Sequence, residues 1–170
     1  MMFILASIYL ISSFVQDSEK AKLYAIIEEF RMCIIEQKSE EDFTNLFLHH
    51  NITWSAILEG KTAEHYSKTQ PQFRFTTSSP KKFYSKLKQG DEEKFYNIRT
   101  DIRGAFATIS FDYSFHSEGK IKNWGTEYWS LIKIKEVWKI SSVTWTMNFE
   151  EHEICPFNPI TAFRLSKADN

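Results

Sequence analysis

From Ser18 to Gln37 the apolar residues Leu23, Ile26, Ile27, Phe30, Cys33 and Ile34 recur at three- and four-residue steps, with Glu28, Glu29 and Arg31 between them. That spacing predicts an amphipathic helix. Ser39 followed by Glu40, Glu41 and Asp42 reads as an N-cap with acids in the first turn, so a second short helix is expected to about Leu48, burying Phe43, Leu46 and Phe47. His49-His50-Asn51 breaks it. Ile52 to Leu58 alternates as a strand ending at Gly60, whereas Thr62 to Ser79 holds no sustained period and reads as a long connection. Ser79-Pro80 is a cap with proline at the first helical position, and Phe83, Tyr84 and Leu87 stripe a helix from Pro80 to Gln89. Phe95 to Ile102 alternates again, Phe95, Asn97, Arg99 and Asp101 against Tyr96, Ile98, Thr100 and Ile102. A meander of three strands follows: Ala105 to His116, Lys120 to Lys135 and Val137 to Met147, separated by turns around Glu118-Gly119 and Lys135-Glu136.

The remainder of the chain adds ends to this body. Met1 to Val15 is apolar, with no charge until Asp17, and is too short for a helix that needs about 20 apolar residues to cross a bilayer. It reads as the hydrophobic region of a secretory signal, which places the protein outside the cell or in the periplasm. The alternative is an N-terminal apolar segment packed on the domain or tethering it to a membrane; without a signal the protein would be cytoplasmic. Residues 1–17 are thus a leader segment, 18–148 one domain, and 149–170 an extension with two prolines. At 170 residues there is little room for a second core. Lys and Arg number 21 against 22 Asp and Glu, so no basic excess is available to neutralise phosphates, and nucleic acid is not an expected partner. The basic run from Lys81 to Lys88 is balanced by Asp91, Glu92 and Glu93 and reads as a solvated face. Cys33 and Cys155 are too few for a disulfide framework, and no cofactor motif or metal-ligand spacing occurs. The aromatic share is 16%, enough rings either to fill a core or to wall a cavity.

Two helices, a strand, a helix and a long meander resemble the nuclear transport factor 2-like superfamily, in particular its bacterial polyketide-cyclase-like and lumazine-binding-like members. The resemblance rests on Phe111-Asp112-Tyr113-Ser114-Phe115, Gly119-Lys120, Trp124-Gly125-Thr126-Glu127-Tyr128-Trp129 and Trp138-Lys139-Ile140-Ser141-Ser142-Val143, and it spans Lys20 to Met147. It implies an α+β fold: a bent antiparallel sheet in a cone around N-terminal helices, with a pocket open at one end. It also implies a homodimer formed through the sheet. The same cone hosts isomerases, dehydratases, cyclases and non-catalytic binding modules, so it says little about chemistry.

Which side chains enter the cone depends on the first hairpin. A two-residue Glu118-Gly119 loop sets Asp112 opposite Gly125; a three-residue Ser117-Glu118-Gly119 loop sets Phe111 there and turns Tyr113 and Phe115 inward with Glu127 and Trp129. The three-residue loop is the expectation, because its last position favours glycine. Carried through the second turn, it puts Leu131 opposite Ile140, Trp129 opposite Ser142 and Glu127 opposite Thr144. The candidate ligand-binding residues are then Trp54, Phe111, Tyr113, Phe115, Glu127, Trp129 and Thr144. Trp124, Tyr128, Val143 and Trp145 form the candidate dimer face.

Glu127 is the lone carboxylate on that inner face. Burial disfavours its charged form, and a raised carboxyl next to the Tyr113 phenol is one arrangement for moving a proton. The same pair also reads as a structural hydrogen bond. His49, His50 and His116 read as surface residues, and Asp112 points outward. Three functions remain open: an exported module holding a small apolar or aromatic ligand; an isomerase, cyclase or dehydratase using Glu127 and Tyr113; and a dimeric protein-interaction module.

Overall fold

The computed structural model describes the backbone of residues 2–70 and 72–157 and the side chains from residue 17 onward, so the expected leader's side chains lie outside the described residues. The elements run α1 (Met2–Glu36), α2 (Glu40–Thr44), β1 (Thr53–Leu58), α3 (Gly60–Thr69), β2 (Phe75–Thr77), α4 (Pro80–Tyr84), β3 (Glu92–Arg103), β4 (Phe106–Ser117), β5 (Lys120–Ile134) and β6 (Val137–Phe149). The fold is α+β. One curved sheet in the order β2-β1-β6-β5-β4-β3 packs its inner face on α1, with β1 parallel to β6 and the other pairs antiparallel.

The stripe expected on the first helix is the buried one: Leu23, Ile27, Phe30, Cys33 and Ile34 sit under the sheet. Ser39 caps α2 by accepting the Asp42 amide, and Asp42 answers by accepting the Ser39 amide. This reciprocal box stabilises a helix of only five residues. Several expectations fail on length: α1 begins at Met2 instead of Ser18, and α2 ends at Thr44 instead of about Leu48. The connection from Thr62 to Ser79 holds α3 and the edge strand β2, and the helix at Pro80 ends at Tyr84 instead of Gln89. In α3 only Thr62 is buried, so the helix has no apolar stripe to announce it.

The hairpins correct the expected register. The β4–β5 loop is the two-residue Glu118-Gly119, both with positive φ, closed by Ser117 opposite Lys120. That loop geometry matches strand twist, and the twist outweighs the preference of residue type. Lys122 is then an extra residue between the pairs His116–Ile121 and Phe115–Asn123, and this bulge restores the parity the shorter loop had changed. Tyr113, not Phe111, faces Gly125, yet Ile109, Phe111 and Tyr113 still point inward with Glu127, Trp129 and Leu131.

The β5–β6 hairpin starts as expected, with Leu131 opposite Ile140, and slips one residue at Ser141. Beyond it Trp129 faces Val143 and Glu127 faces Trp145, so Val143 and Trp145 lie inside while Ser142 and Thr144 lie outside. The slip occurs where β6 changes neighbours. Ile140 exchanges backbone hydrogen bonds with Leu46 and Leu48, and from Ser142 onward β6 pairs with β1. A third bulge in β3 gives Asn97 a positive φ and brings Phe95 onto the same face as Ile98 and Ile102, against the simple alternation expected.

These faces also revise the dimer surface. Val143 is buried, and Trp145 packs on Trp54 with ring centroids 5.7 Å apart. Trp124 does face outward, but its indole N–H donates to the Glu153 carbonyl at 2.9 Å and its ring meets Phe157, so the chain after β6 covers it. Tyr128 remains open to solvent. Among the described residues no helix is long and apolar enough to cross a membrane.

Candidate functional site

At the end of the cone away from the pairing of Leu46 and Leu48 with Ile140, the sheet and α1 do not close on each other. A cavity of about 520 Å³ is left there. Its walls are aromatic: Phe30 from α1, Trp54 from β1, Phe83 from α4, Tyr113 and Phe115 from β4, and Trp145 from β6, with Met147 beside them. Trp54 holds the wall together, packing on Phe83 at 5.3 Å as well as on Trp145.

The polar groups divide by depth. Asp91, Glu93 and Glu127 line the cavity and are at most 6% exposed, whereas Lys82, Lys86, Lys88 and Lys122 line it and are exposed. Glu127 comes from the centre of β5. Trp129, two residues on and on the same face, donates its indole N–H to Glu127 Oε2 at 2.6 Å. Glu93 is the partner that the alternation pattern concealed. It faces Phe115 across the β3–β4 ladder and reaches Glu127 inside the cone.

Two buried carboxyls this close cannot both ionise freely. Burial, then the Glu127 charge, then a hydrogen bond given to Glu127, push Glu93 well above the usual carboxylate range. Burial pushes Glu127 up to about 7, against the opposing pull of the Trp129 N–H and the Glu93 hydrogen bond. Glu93 therefore carries the proton, and Glu127 titrates near neutrality. Glu93 Oε2 and Asp91 Oδ1 have no hydrogen-bond partner among the described residues, although Asp91 Oδ2 accepts the Lys88 amide at 2.9 Å. A buried polar atom left in this way costs about 1–3 kcal/mol, a cost that a polar molecule in the cavity would remove.

The Tyr113 hydroxyl donates to the Thr146 carbonyl at 3.2 Å, and burial pushes its pKa up. The ring reaches β6 by crossing over Gly125, its β5 partner. A Cβ at Gly125 would collide with the Thr146 carbonyl, so glycine is what allows the strands to approach here.

The expected ligand-binding residues thus separate into three groups. Trp54, Tyr113, Phe115 and Glu127 line the cavity. Phe111 and Trp129 lie behind it, each in contact with the other and with Phe95. Thr144 is on the opposite face. Asp112 points outward as expected, accepting from Asn97 and Thr126, and Ser114 bonds His116 Nε2 at 2.9 Å on that same outer side. Asp91 and Glu93, read in the sequence as countercharges to the lysines, are buried acids of the cavity. The β3 bulge that moves Phe95 inward aligns Glu93 with it, and nothing in local alternation signals that bulge apart from Asn97, a residue type that tolerates positive φ.

No family profile matches the sequence, and no curated protein matches it. Solved structures do match the fold. Rv3472 from Mycobacterium tuberculosis, a protein of unknown function, is 12% identical with a TM-score of 0.59, over 91% of this chain and 88% of its own. A nuclear transport factor 2-like protein with a cystatin-like fold from Novosphingobium aromaticivorans is 10% identical with a TM-score of 0.58, over 81% and 87%. A protein of unknown function with a cystatin-like fold from Nostoc punctiforme is 9% identical with a TM-score of 0.52, over 83% and 94%. Identities this low speak to architecture and not to chemistry: the chain has the nuclear transport factor 2-like, cystatin-like fold.

Proposed function

We propose that the protein is a small-molecule-binding module, exported by its apolar leader, whose ligand occupies the cone. The observation that carries this reading is the cavity itself: about 520 Å³, walled by rings, with a few buried polar atoms that lack partners. Concave, mostly apolar volume with a small number of convergent polar groups is what drug-sized ligands occupy. The test is a titration of the purified protein with a panel of small aromatic compounds, followed by NMR at the Trp54 and Trp145 indoles and the Met147 methyl. Saturable shifts at these three residues are expected. A panel that moves none of them overturns the reading.

A second reading is favoured by one observation, the Glu93–Glu127 pair. A carboxyl near pKa 7 beside a protonated acid is suited to taking a proton from carbon and returning it elsewhere, as in an isomerase, cyclase or dehydratase. In that case Glu127 is the base and Glu93 the acid. Tyr113, whose hydroxyl is already given to Thr146, holds the wall.

A further inference from the structure

Resting on the binding reading, we propose that the ligand is an elongated aromatic zwitterion whose protonated nitrogen sits among Asp91, Glu93 and Glu127 and whose acid group lies under the lysine rim. The inner end carries this first. Glu93 Oε2 and Asp91 Oδ1 are buried acceptors that line the cavity without partners among the described residues, two residues apart where the chain enters β3, and Glu127 stands beside Glu93. Acceptors with no donor are the chemical complement of an N–H cation. The rings of Trp54, Phe83, Phe115 and Trp145 line the same cavity, and aromatic faces attract a cation as well.

The outer end carries the rest. Lys82, Lys86, Lys88 and Lys122 line the open side, and none has a carboxylate within 4.0 Å among the described residues, whereas neighbouring Lys81 pairs with Glu40 at 2.9 Å. A purely cationic molecule would have to pass four unpaired ammonium groups; one with a distal acid group would be drawn in by them.

Because Glu127 must be ionised to hold a cation, binding near pH 6 releases a proton from it, and affinity rises about tenfold between pH 6 and 8. The titratable groups around it are Glu93, Asp91 and Tyr113 on the walls and the four lysines at the rim.

The experiment compares four probes of one shape by NMR and calorimetry on the full chain: benzyl alcohol, benzoate, benzylamine and para-(aminomethyl)benzoate. Benzylamine is expected to bind at least about tenfold more tightly than benzyl alcohol, and para-(aminomethyl)benzoate more tightly still, with an enthalpy at pH 6 that depends on the ionisation heat of the buffer. Glu127→Gln, which removes the one carboxyl of the pair that ionises, removes the preference for benzylamine over benzyl alcohol. The surface pair Lys82→Gln and Lys86→Gln removes only the advantage of the added carboxylate. Benzyl alcohol binding as well as benzylamine, or Glu127→Gln leaving the amine preference intact, overturns the inference while the binding reading stands. All four probes failing to shift the cavity residues overturns both.

Discussion

At the scale of single residues, the buried carboxyl pair sets how stability depends on pH. Glu127 has a folded pKa near 7 against an ordinary value of 4.5, so between these two values the folded chain binds more protons than the unfolded one. Stability contributed by keeping Glu127 protonated is present below about pH 4.5 and is lost as pH rises through 7, amounting to about 3 kcal/mol. Glu19 acts in the opposite direction. Its hydrogen bond with Lys22 leads, with Trp138 and Lys133 adding to it against burial, and together they hold its carboxyl at about 2. Its contribution is therefore present above 4.5 and lost towards pH 2. The midpoint of urea unfolding should accordingly be highest near about pH 5 and fall by about pH 8, and the double variant Glu93→Gln, Glu127→Gln should flatten that fall. A midpoint that climbs from about pH 5 to about pH 8 in the parent would show the pair to be ordinary, solvated carboxylates. Sequence reasoning finds one half of this pair, because Glu127 lies in an aromatic run whose parity can be read. It misses Glu93, which follows a lysine-rich stretch and resembles a surface countercharge until β3 bends.

At the scale of elements, most strands and the long helix are legible because each has one buried face, and period alone reports a buried face. What periodicity cannot supply is the location of bulges, since one extra residue reverses every side chain beyond it. Between β4 and β5 two departures from the expected register cancel: the shorter loop and the extra Lys122 together preserve the inner face. In β6 nothing compensates for Ser141, so Trp145 and Thr144 exchange faces and Trp145 walls the cavity instead of a dimer surface. The same elements explain Gly125. With Tyr113 crossing over it and the Thr146 carbonyl against it, Gly125→Ala has no room for its methyl. It should cost about 1–3 kcal/mol in unfolding free energy and release the Tyr113 hydroxyl from Thr146, visible as a changed near-ultraviolet circular dichroism of the tyrosine. A variant as stable as the parent would mean that β5 and β6 separate there at no cost.

At the scale of the whole molecule, the cone has a sealed end and an open one, and one tyrosine joins them. The sealed end is where α1, α2 and the Leu46–Leu48 segment that pairs with Ile140 of β6 come together, with Phe30, Phe43 and Phe47 in mutual contact. The open end is bounded on one side by α4, five residues long, whose Phe83 and Lys82 form part of the cavity wall and rim. So short a helix has little stability of its own. It is fastened by Tyr84, whose ring stacks on Phe43 at 4.6 Å and whose hydroxyl donates to the Cys33 carbonyl at 3.0 Å and to the Lys38 carbonyl. The position of the wall is therefore set from the sealed end, by carbonyls at the point where α1 gives way to α2. Tyr84→Phe keeps the stack and removes only the hydroxyl. It should cost about 1–2 kcal/mol in stability and speed amide hydrogen exchange at Phe83 and Ser85, whose N–H groups close the turns of α4, more than at the sheet. Because the Tyr84 hydroxyl bonds the Cys33 and Lys38 carbonyls and neither Glu93 nor Glu127, the fall in stability from about pH 5 to about pH 8 should persist unchanged in this variant, separating loss of the wall from loss of the acid pair.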